Sequence, residues 1–294
     1  MKKVNVGIIG TGNIGCDLLM KVQKSKYLNC TLFMGRNINS KGMQLAKKMN
    51  INISDKSIDA LIENPDCCDI VFDATSANAH FKHSKILMDL NKYSIDLTPS
   101  LVGKMCVPFV NAEECLDEKE INMITCGGQA TIPLVHAISQ IQSGIRYVEI
   151  VASISSKSAG PGTRANIDEF TQTTKKALIE FSGIKNAKAI IILNPAEPPI
   201  IMNNTIYLIV DEPDMPKICK KVESVVEQLK EYIPGYKITI NPIFNNNIIT
   251  LSLQVIGSGD YLERYSGNLD IITCASVKMA ELYAQRRILK WVIK

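Results

Sequence analysis

Apolar residues follow two different rhythms along the chain. Up to about residue 125, compact apolar runs alternate with stretches of helical spacing. Val4–Ile9, Thr31–Met34, Asp69–Asp73, Tyr93–Leu97 and Asn122–Thr125 read as strands, and Ile14–Ser25, Lys41–Met49 and Ala77–Leu90 as helices. A run that is apolar at every position suits a strand covered on both faces. Strands separated by helices with short connections predict βαβ units and a mostly parallel sheet.

Further along the texture changes. Asn166 with Glu169 has the form of a capping box, opening a helix whose apolar face is Phe170, Ala177, Leu178 and Phe181. Lys188–Leu193 and Thr205–Val210 read as strands on either side of the breaker cluster Asn194–Pro199. Ile218, Val222, Val225, Val226 and Leu229 form the stripe of another helix, followed by strands Tyr236–Asn241 and Ile248–Ile256. That order predicts an α+β layer with an open sheet and helices on one face. Gly267–Lys294 reads as one long terminal helix, expected to return to the first domain. The expected organisation is therefore a dinucleotide-binding domain over 1–130, an α+β catalytic and dimerisation domain over 131–266, and the helix 267–294.

Composition narrows the function classes. The chain has 294 residues, 46% apolar and 21% charged, with a formal net charge of +4. These values belong to an ordinary globular protein of about two domains. So small a basic excess, without Lys/Arg runs, argues against nucleic-acid or membrane partners. The nine cysteines are scattered and unaccompanied by a histidine cluster. That pattern argues against a disulfide framework or a metal site and fits a reducing cytoplasm.

Two segments carry chemistry. Gly10-Thr11-Gly12-Asn13-Ile14-Gly15 matches G-x-G-x-x-G between an expected strand and an expected helix. In that context the first glycine permits a tight turn, the second lets the backbone approach a pyrophosphate, and the third allows close helix–strand packing. The carboxylate that holds an NAD ribose about 20 residues on is missing, since no Asp or Glu occurs between Asp17 and Asp55. Arg36 and Asn37 stand there instead. Asn37 can hydrogen-bond a ribose and Arg36 can accept a 2′-phosphate, so both NAD and NADP stay open.

The second segment places Cys126 after a strand and before Gly127 and Gly128 at the start of a helix. A helix N-terminus favours thiolate and can bring a thiol from about 8.5 to roughly 3.5–7.5. Free amides there can hold an oxyanion. A buried inert thiol is the alternative. His80 and His83 are read as lying on a solvated helix face, not as a metal pair, and His136 as structural.

At this point the chain resembles the acylating, coenzyme A-dependent acetaldehyde dehydrogenases that partner 4-hydroxy-2-oxovalerate aldolase in the catabolism of aromatic hydrocarbons. The segments that carry the resemblance are Thr11–Ile14, Phe72–Ser76, Ile95–Pro99, Ile124–Pro133, Ser156–Phe170, Leu193–Pro199 and Gly267–Ile271. The resemblance implies a Rossmann-type parallel-sheet domain plus an α+β dimerisation domain of the semialdehyde dehydrogenase kind. It implies Cys126 as acyl-thioester nucleophile. It also implies dinucleotide contacts from Thr11–Ile14 and from Ser158, Ala159, Gly160, Pro161, Gly162, Thr163, Arg164, Ala165 and Asn166, with Asn268 at the nicotinamide end. Expected partners are a short aldehyde, coenzyme A, a second copy of the chain and the aldolase.

The chain departs from the family pattern in three places. Arg36-Asn37 replaces the ribose carboxylate, Asn204 stands where family members commonly carry an Asp that assists the cysteine, and Asn241–Ile249 is shorter. Two other readings stand beside this one: a phosphorylating semialdehyde dehydrogenase, and a non-catalytic NAD(P)-binding sensor or scaffold.

Overall fold

In the computed structural model, which describes residues 3–160, 163–164 and 167–292, the chain divides into two compact units. One comprises the residues up to Met123 together with those from Thr273 onward, and the other comprises Ile124–Ile272. The division thus falls at Met123/Ile124, ahead of Cys126, and inside the terminal helix.

The first unit is built on a seven-stranded parallel sheet. Its strands are β1 (Val4–Ile9), β2 (Leu28–Met34), β3 (Ile53–Ser54), β4 (Ile70–Asp73), β5 (Tyr93–Asp96), β6 (Lys104–Met105) and β7 (Glu120–Asn122). They lie in the order β3-β2-β1-β4-β5-β7-β6. Every residue of β4, β5 and β7 is buried, the signature of a sheet covered on both faces. The intervening helices are α1 (Asn13–Lys24), α2 (Lys41–Lys48), α3 (Asp59–Glu63), α4 (Ala77–Asp89) and α5 (Pro108–Cys115). Ser40 caps α2 by accepting from the Met43 amide, and Ser76 caps α4 by accepting from Ala79. The elements β3, α3, β6 and α5 are too short to show a period in the sequence.

The second unit carries helix α6 (Cys126–Ser139), then β8 (Tyr147–Ser155), α7 (Ile167–Ser182), β9 (Ala187–Asn194), β10 (Met202–Ile209), α8 (Met215–Lys230), β11 (Tyr236–Asn245) and β12 (Ile248–Val255). Its sheet runs β11-β12-β10-β8-β9, antiparallel except for the parallel pair β8·β9. Strict alternation of burial along β10 shows one face packed and one half-open. The packed face meets α6, where the Tyr236 hydroxyl donates to the Ala130 carbonyl at 2.6 Å. The short Asn241–Ile249 segment is a tight hairpin. Asn246 (φ 48°) and Asn247 (φ 60°) form its two-residue turn, as the twist of paired strands favours. Helix α9 (Gly267–Val292) closes the chain.

The expected strand Asn122–Thr125 stops at Asn122. Ile124 takes the left-handed conformation (φ 62°), which costs a β-branched residue roughly 1–3 kcal/mol. The chain is thereby turned out of the sheet just before Cys126.

Candidate active site

In the first unit, β1 leads to β2 on one side while its other neighbour, β4, leads to β5 on the other side. Ligands of open α/β sheets bind outside the carboxyl ends of strands at such a switch point. A cavity of about 350 Å³ lies there, lined by the Gly10–Gly12 turn, Gly35, Arg36, Ser57, the Ala74–Ser76 turn, Ala79 and His83.

The glycines shape its floor. Gly10 has φ +107°, and a Cβ there would lie 2.5 Å from the Ala74 carbonyl oxygen. A Cβ on Gly15 would lie 1.8 Å from the Gly10 oxygen, whereas one on Gly12 would meet nothing within 4 Å. The open space at Gly12, beside the first amides of α1, fits a pyrophosphate. Gly15→Ala is therefore expected to cost roughly 1–3 kcal/mol through overpacking. Gly12→Ala should leave the melting temperature within a degree or so and still abolish the stabilisation that added NAD gives. Thermal melts with and without NAD check both.

Of the other dinucleotide candidates in this unit, Asn13 is exposed and Ile14 half-buried at the start of α1. Arg36 is exposed and lines the cavity. The Asn37 side-chain oxygen accepts from the Asn39 amide at 2.9 Å and so serves its own turn.

His80 and His83 do not lie on a solvated face. His80 is fully buried and His83 is 7% exposed, on the α4 stripe Ala77, His80, His83, Ser84 and Leu87. Both Nδ1 atoms donate to the same oxygen, Asp73 Oδ2, at 2.8 and 2.7 Å. The other Asp73 oxygen accepts from the Thr75 amide and hydroxyl. His80 Nε2 lies 3.1 Å from Glu120 Oε1 and 3.4 Å from Asp96 Oδ2. These are ion-pair distances without the alignment of a hydrogen bond.

Burial alone would lower the His80 pKa, but the three carboxylates carry it up to about 10. For Asp73, burial works upward, yet the two imidazoles and Thr75 hold it well below the usual carboxylate range. Burial pushes Asp96 up to about 6 against the opposing pull of His80, Ser100 and the Thr98 amide. A charged imidazole among carboxylates thus sits under the carboxyl end of the sheet. The helical period did place both histidines with Leu87 on the inner stripe; charge type alone misleads there.

In the second unit, Cys126 is the first residue of α6 and Thr125 is its N-cap. Thr125 Oγ1 accepts from the Gly128 amide at 3.0 Å and lies 2.7 Å from Thr174 Oγ1. Thr174 donates to the Phe170 carbonyl, so the proton between the two threonines belongs to Thr125. This chain of bonds fixes the start of α6 against α7. A Cβ at Gly127 would meet the Phe170 ring at 2.8 Å and the Ala152 Cβ at 3.5 Å, so only glycine allows so close a seat.

The amides of Cys126 and Gly127 face the sulfur and favour thiolate, but burial outweighs them and pushes the thiol up to about 12. The N-terminal position therefore does not produce a resting thiolate, contrary to the expectation from the helix dipole alone. Cys126 nevertheless keeps partial exposure.

The remaining candidates of this unit surround that helix or lie on other elements. Asn204 on β10 pairs in register with Ala152, the residue under Gly127. It is fully buried, with neither amide atom hydrogen-bonded among the described residues. Asn268, second residue of α9, is 1% exposed, and its Oδ1 has no hydrogen bond among the described residues. Ser158 and Ala159 are buried, and the Ser158 hydroxyl donates to the Ser155 carbonyl. Gly160 and Thr163 are half-buried. The Arg164 guanidinium donates to the Ser156 carbonyl and hydroxyl and to the Ala159 carbonyl. It is thus engaged by its own loop. Pro161, Gly162, Ala165 and Asn166 lie outside the described residues. His136 Nδ1 donates to the Phe181 carbonyl at 2.6 Å, joining α6 to α7.

Comparison with known proteins decides which family uses this arrangement. Residues 126–263 match the model described as "Prokaryotic acetaldehyde dehydrogenase, dimerisation", and residues 5–118 match "Semialdehyde dehydrogenase, NAD binding domain". A curated acetaldehyde dehydrogenase of Pectobacterium atrosepticum is 50% identical over 288 residues, covering 97% of each chain. The chain belongs to the prokaryotic acetaldehyde dehydrogenase family. An acetaldehyde dehydrogenase of Spirochaeta aurantia is 51% identical over 97% of this chain and 96% of its own. Among solved structures, aspartate semialdehyde dehydrogenase II of Vibrio cholerae, complexed with ASA, superposes with a TM-score of 0.61. It covers 95% of this chain and 98% of its own at 13% identity, and so shares the fold. In this acetaldehyde dehydrogenase family member the first unit is an NAD-binding domain and the second the dimerisation domain, consistent with a homodimer. Among the described residues, no helix is long and apolar enough to cross a membrane.

Proposed function

We propose that this chain oxidises acetaldehyde, or a short homologue, with NAD and transfers the acyl group to coenzyme A through a thioester on Cys126. The observation that carries the reading is the placement of Cys126 at the first position of α6, with two amides turned to its sulfur. Bound NAD would supply the hydride acceptor; the Gly10–Gly12 turn and the first amides of α1 would hold its pyrophosphate, and the family resemblance supports Asn268 as a further cofactor residue.

The chain's own residues do the rest. Cys126 Sγ loses its proton and forms a bond to the aldehyde carbon. The amides of Cys126 and Gly127 steady the oxygen that becomes negative. The Gly128 amide is spent on Thr125, so these two are the donors left for that task. After oxidation the carbonyl re-forms as a thioester, and the coenzyme A thiol displaces Cys126 to give acetyl-CoA. A thiol at about 12 stays protonated until substrate is in place, which limits side reactions of the free enzyme. A group that takes the proton then has to come with the assembled complex, because Asn204 holds an amide where an Asp would supply a base.

Arg36 on the cavity wall supports use of NADP beside NAD. The family resemblance supports a cytoplasmic complex with 4-hydroxy-2-oxovalerate aldolase, which would deliver the aldehyde during breakdown of aromatic compounds.

Initial rates with acetaldehyde test the proposal. Turnover is expected with coenzyme A and not with inorganic phosphate in its place. Arg36→Ala should raise the KM for NADP about tenfold, as for loss of a charge-assisted bond of 1.5–3 kcal/mol, and leave that for NAD within twofold. Turnover with phosphate would favour a phosphorylating semialdehyde dehydrogenase. Absence of turnover with either would favour a dinucleotide-binding sensor.

A further inference from the structure

His83 lines the first unit's cavity, yet neither the glycine motif nor the family resemblance assigns it a role. Its ring is held at one end only. Nδ1 donates to Asp73 Oδ2 at 2.7 Å. The carboxylate accepts and cannot donate, so the proton on that nitrogen is committed. His80 Nε2 is sealed among carboxylates. The His83 Nε2, by contrast, has no hydrogen bond or ion pair among the described residues and is not shut off from solvent. When Nδ1 carries the only ring proton, Nε2 is an acceptor. Asp73 thus does for His83 what a second-shell carboxylate does for a ligating histidine: it sets the tautomer and the ring orientation.

The residues that share the cavity say what that nitrogen meets. The phosphate cradle is at the Gly10–Gly12 turn. His83 is seven residues past the Ser76 cap of α4, about 10 Å along the helix from its start. His83 and Ala79 on the same helix line one cavity with Gly35 and Arg36 at the end of β2. The end of β2 is where the adenosine half of a dinucleotide lies in this fold.

We infer that His83 is a cofactor-binding residue. Its Nε2 accepts a hydrogen bond from a donor on the adenosine half of the dinucleotide, either the adenine 6-amino group or a ribose hydroxyl. This rests on the dinucleotide reading of the cleft.

Two substitutions separate the two ends of the ring. Asn carries its amide where Nδ1 stood, so His83→Asn keeps the bond to Asp73 and loses the contact in the cavity. Gln reaches where Nε2 stood, so His83→Gln keeps the cavity contact and loses the bond to Asp73. Binding of ADP-ribose by calorimetry is expected to weaken about tenfold in His83→Asn, with an unchanged melting temperature. His83→Gln should melt lower but bind ADP-ribose within about threefold of the parent.

Inosine diphosphate ribose identifies the donor. If the parent binds it about tenfold more weakly than ADP-ribose and His83→Asn does not discriminate, the 6-amino group is the donor. If His83→Asn weakens both ligands equally, the donor is a ribose hydroxyl. ADP-ribose binding by His83→Asn within twofold of the parent would overturn the inference. Failure of the parent to bind ADP-ribose would instead sink the dinucleotide reading itself.

Discussion

Cys126→Ser is expected to lower acetaldehyde- and CoA-dependent turnover by at least about 10³-fold, the scale of losing a covalent nucleophile. NAD should still stabilise the variant, because the glycine cradle belongs to the other unit. A serine hydroxyl is far less acidic than a thiol, so the two amides that face the sulfur cannot make up the difference. A second readout separates chemistry from folding. Run in reverse, acetyl-CoA should load one acetyl group onto the parent protein in a form that hydroxylamine releases, and none onto Cys126→Ser. Labelling of the variant at the same level would place the nucleophile elsewhere. The thiol near 12 adds a kinetic expectation. Without ligands, Cys126 should alkylate slowly at neutral pH, and the rate should climb as pH rises toward 10.

The second large effect concerns stability. His80→Gln leaves Asp73, Asp96 and Glu120 near one another without the imidazolium that now sits among them. Removing one partner from a buried charge group costs roughly 3–5 kcal/mol. The pH dependence follows from the raised pKa. His80 titrates near 6.5 when unfolded and near 10 when folded. Its contribution is complete below about 6.5, shrinks as pH rises, and is gone once pH passes about 10. Denaturant unfolding at pH 6 and at pH 10 should show a wide gap between parent and variant that narrows at the higher pH. Adding Glu120→Gln to His80→Gln should recover part of the loss, because one of the stranded charges is removed. A gap that stays constant across this range would mean that packing volume, not charge, is what His80 supplies.

Much of the architecture was legible in the linear pattern. The run Val4–Ile9 followed by three spaced glycines could only make a buried strand, a tight turn and a close-packed helix, and Gly15 lies under the Gly10 carbonyl as that pattern requires. The stripe Ile218, Val222, Val225, Val226 and Leu229 is the buried face of α8. Both depend on interactions within a few residues, where chain geometry leaves few alternatives.

What lay beyond reach was set by contacts distant in sequence. The charge on His80 depends on Glu120, forty residues away, and on strand ends that only sheet pairing brings together. The state of the Cys126 thiol is set by distant contacts for the same reason. A helix start is written locally, while the desolvation that overrides it comes from the surrounding packing, of which Phe170 and Ala152 on other elements are part. The chain by itself determined where a glycine turn leaves open space beside a helix start and where a thiol meets a helix end, because backbone geometry decides both. Tertiary structure alone decided which charges meet around His80 and which nitrogen of His83 faces Asp73, because burial and pairing between distant segments set both.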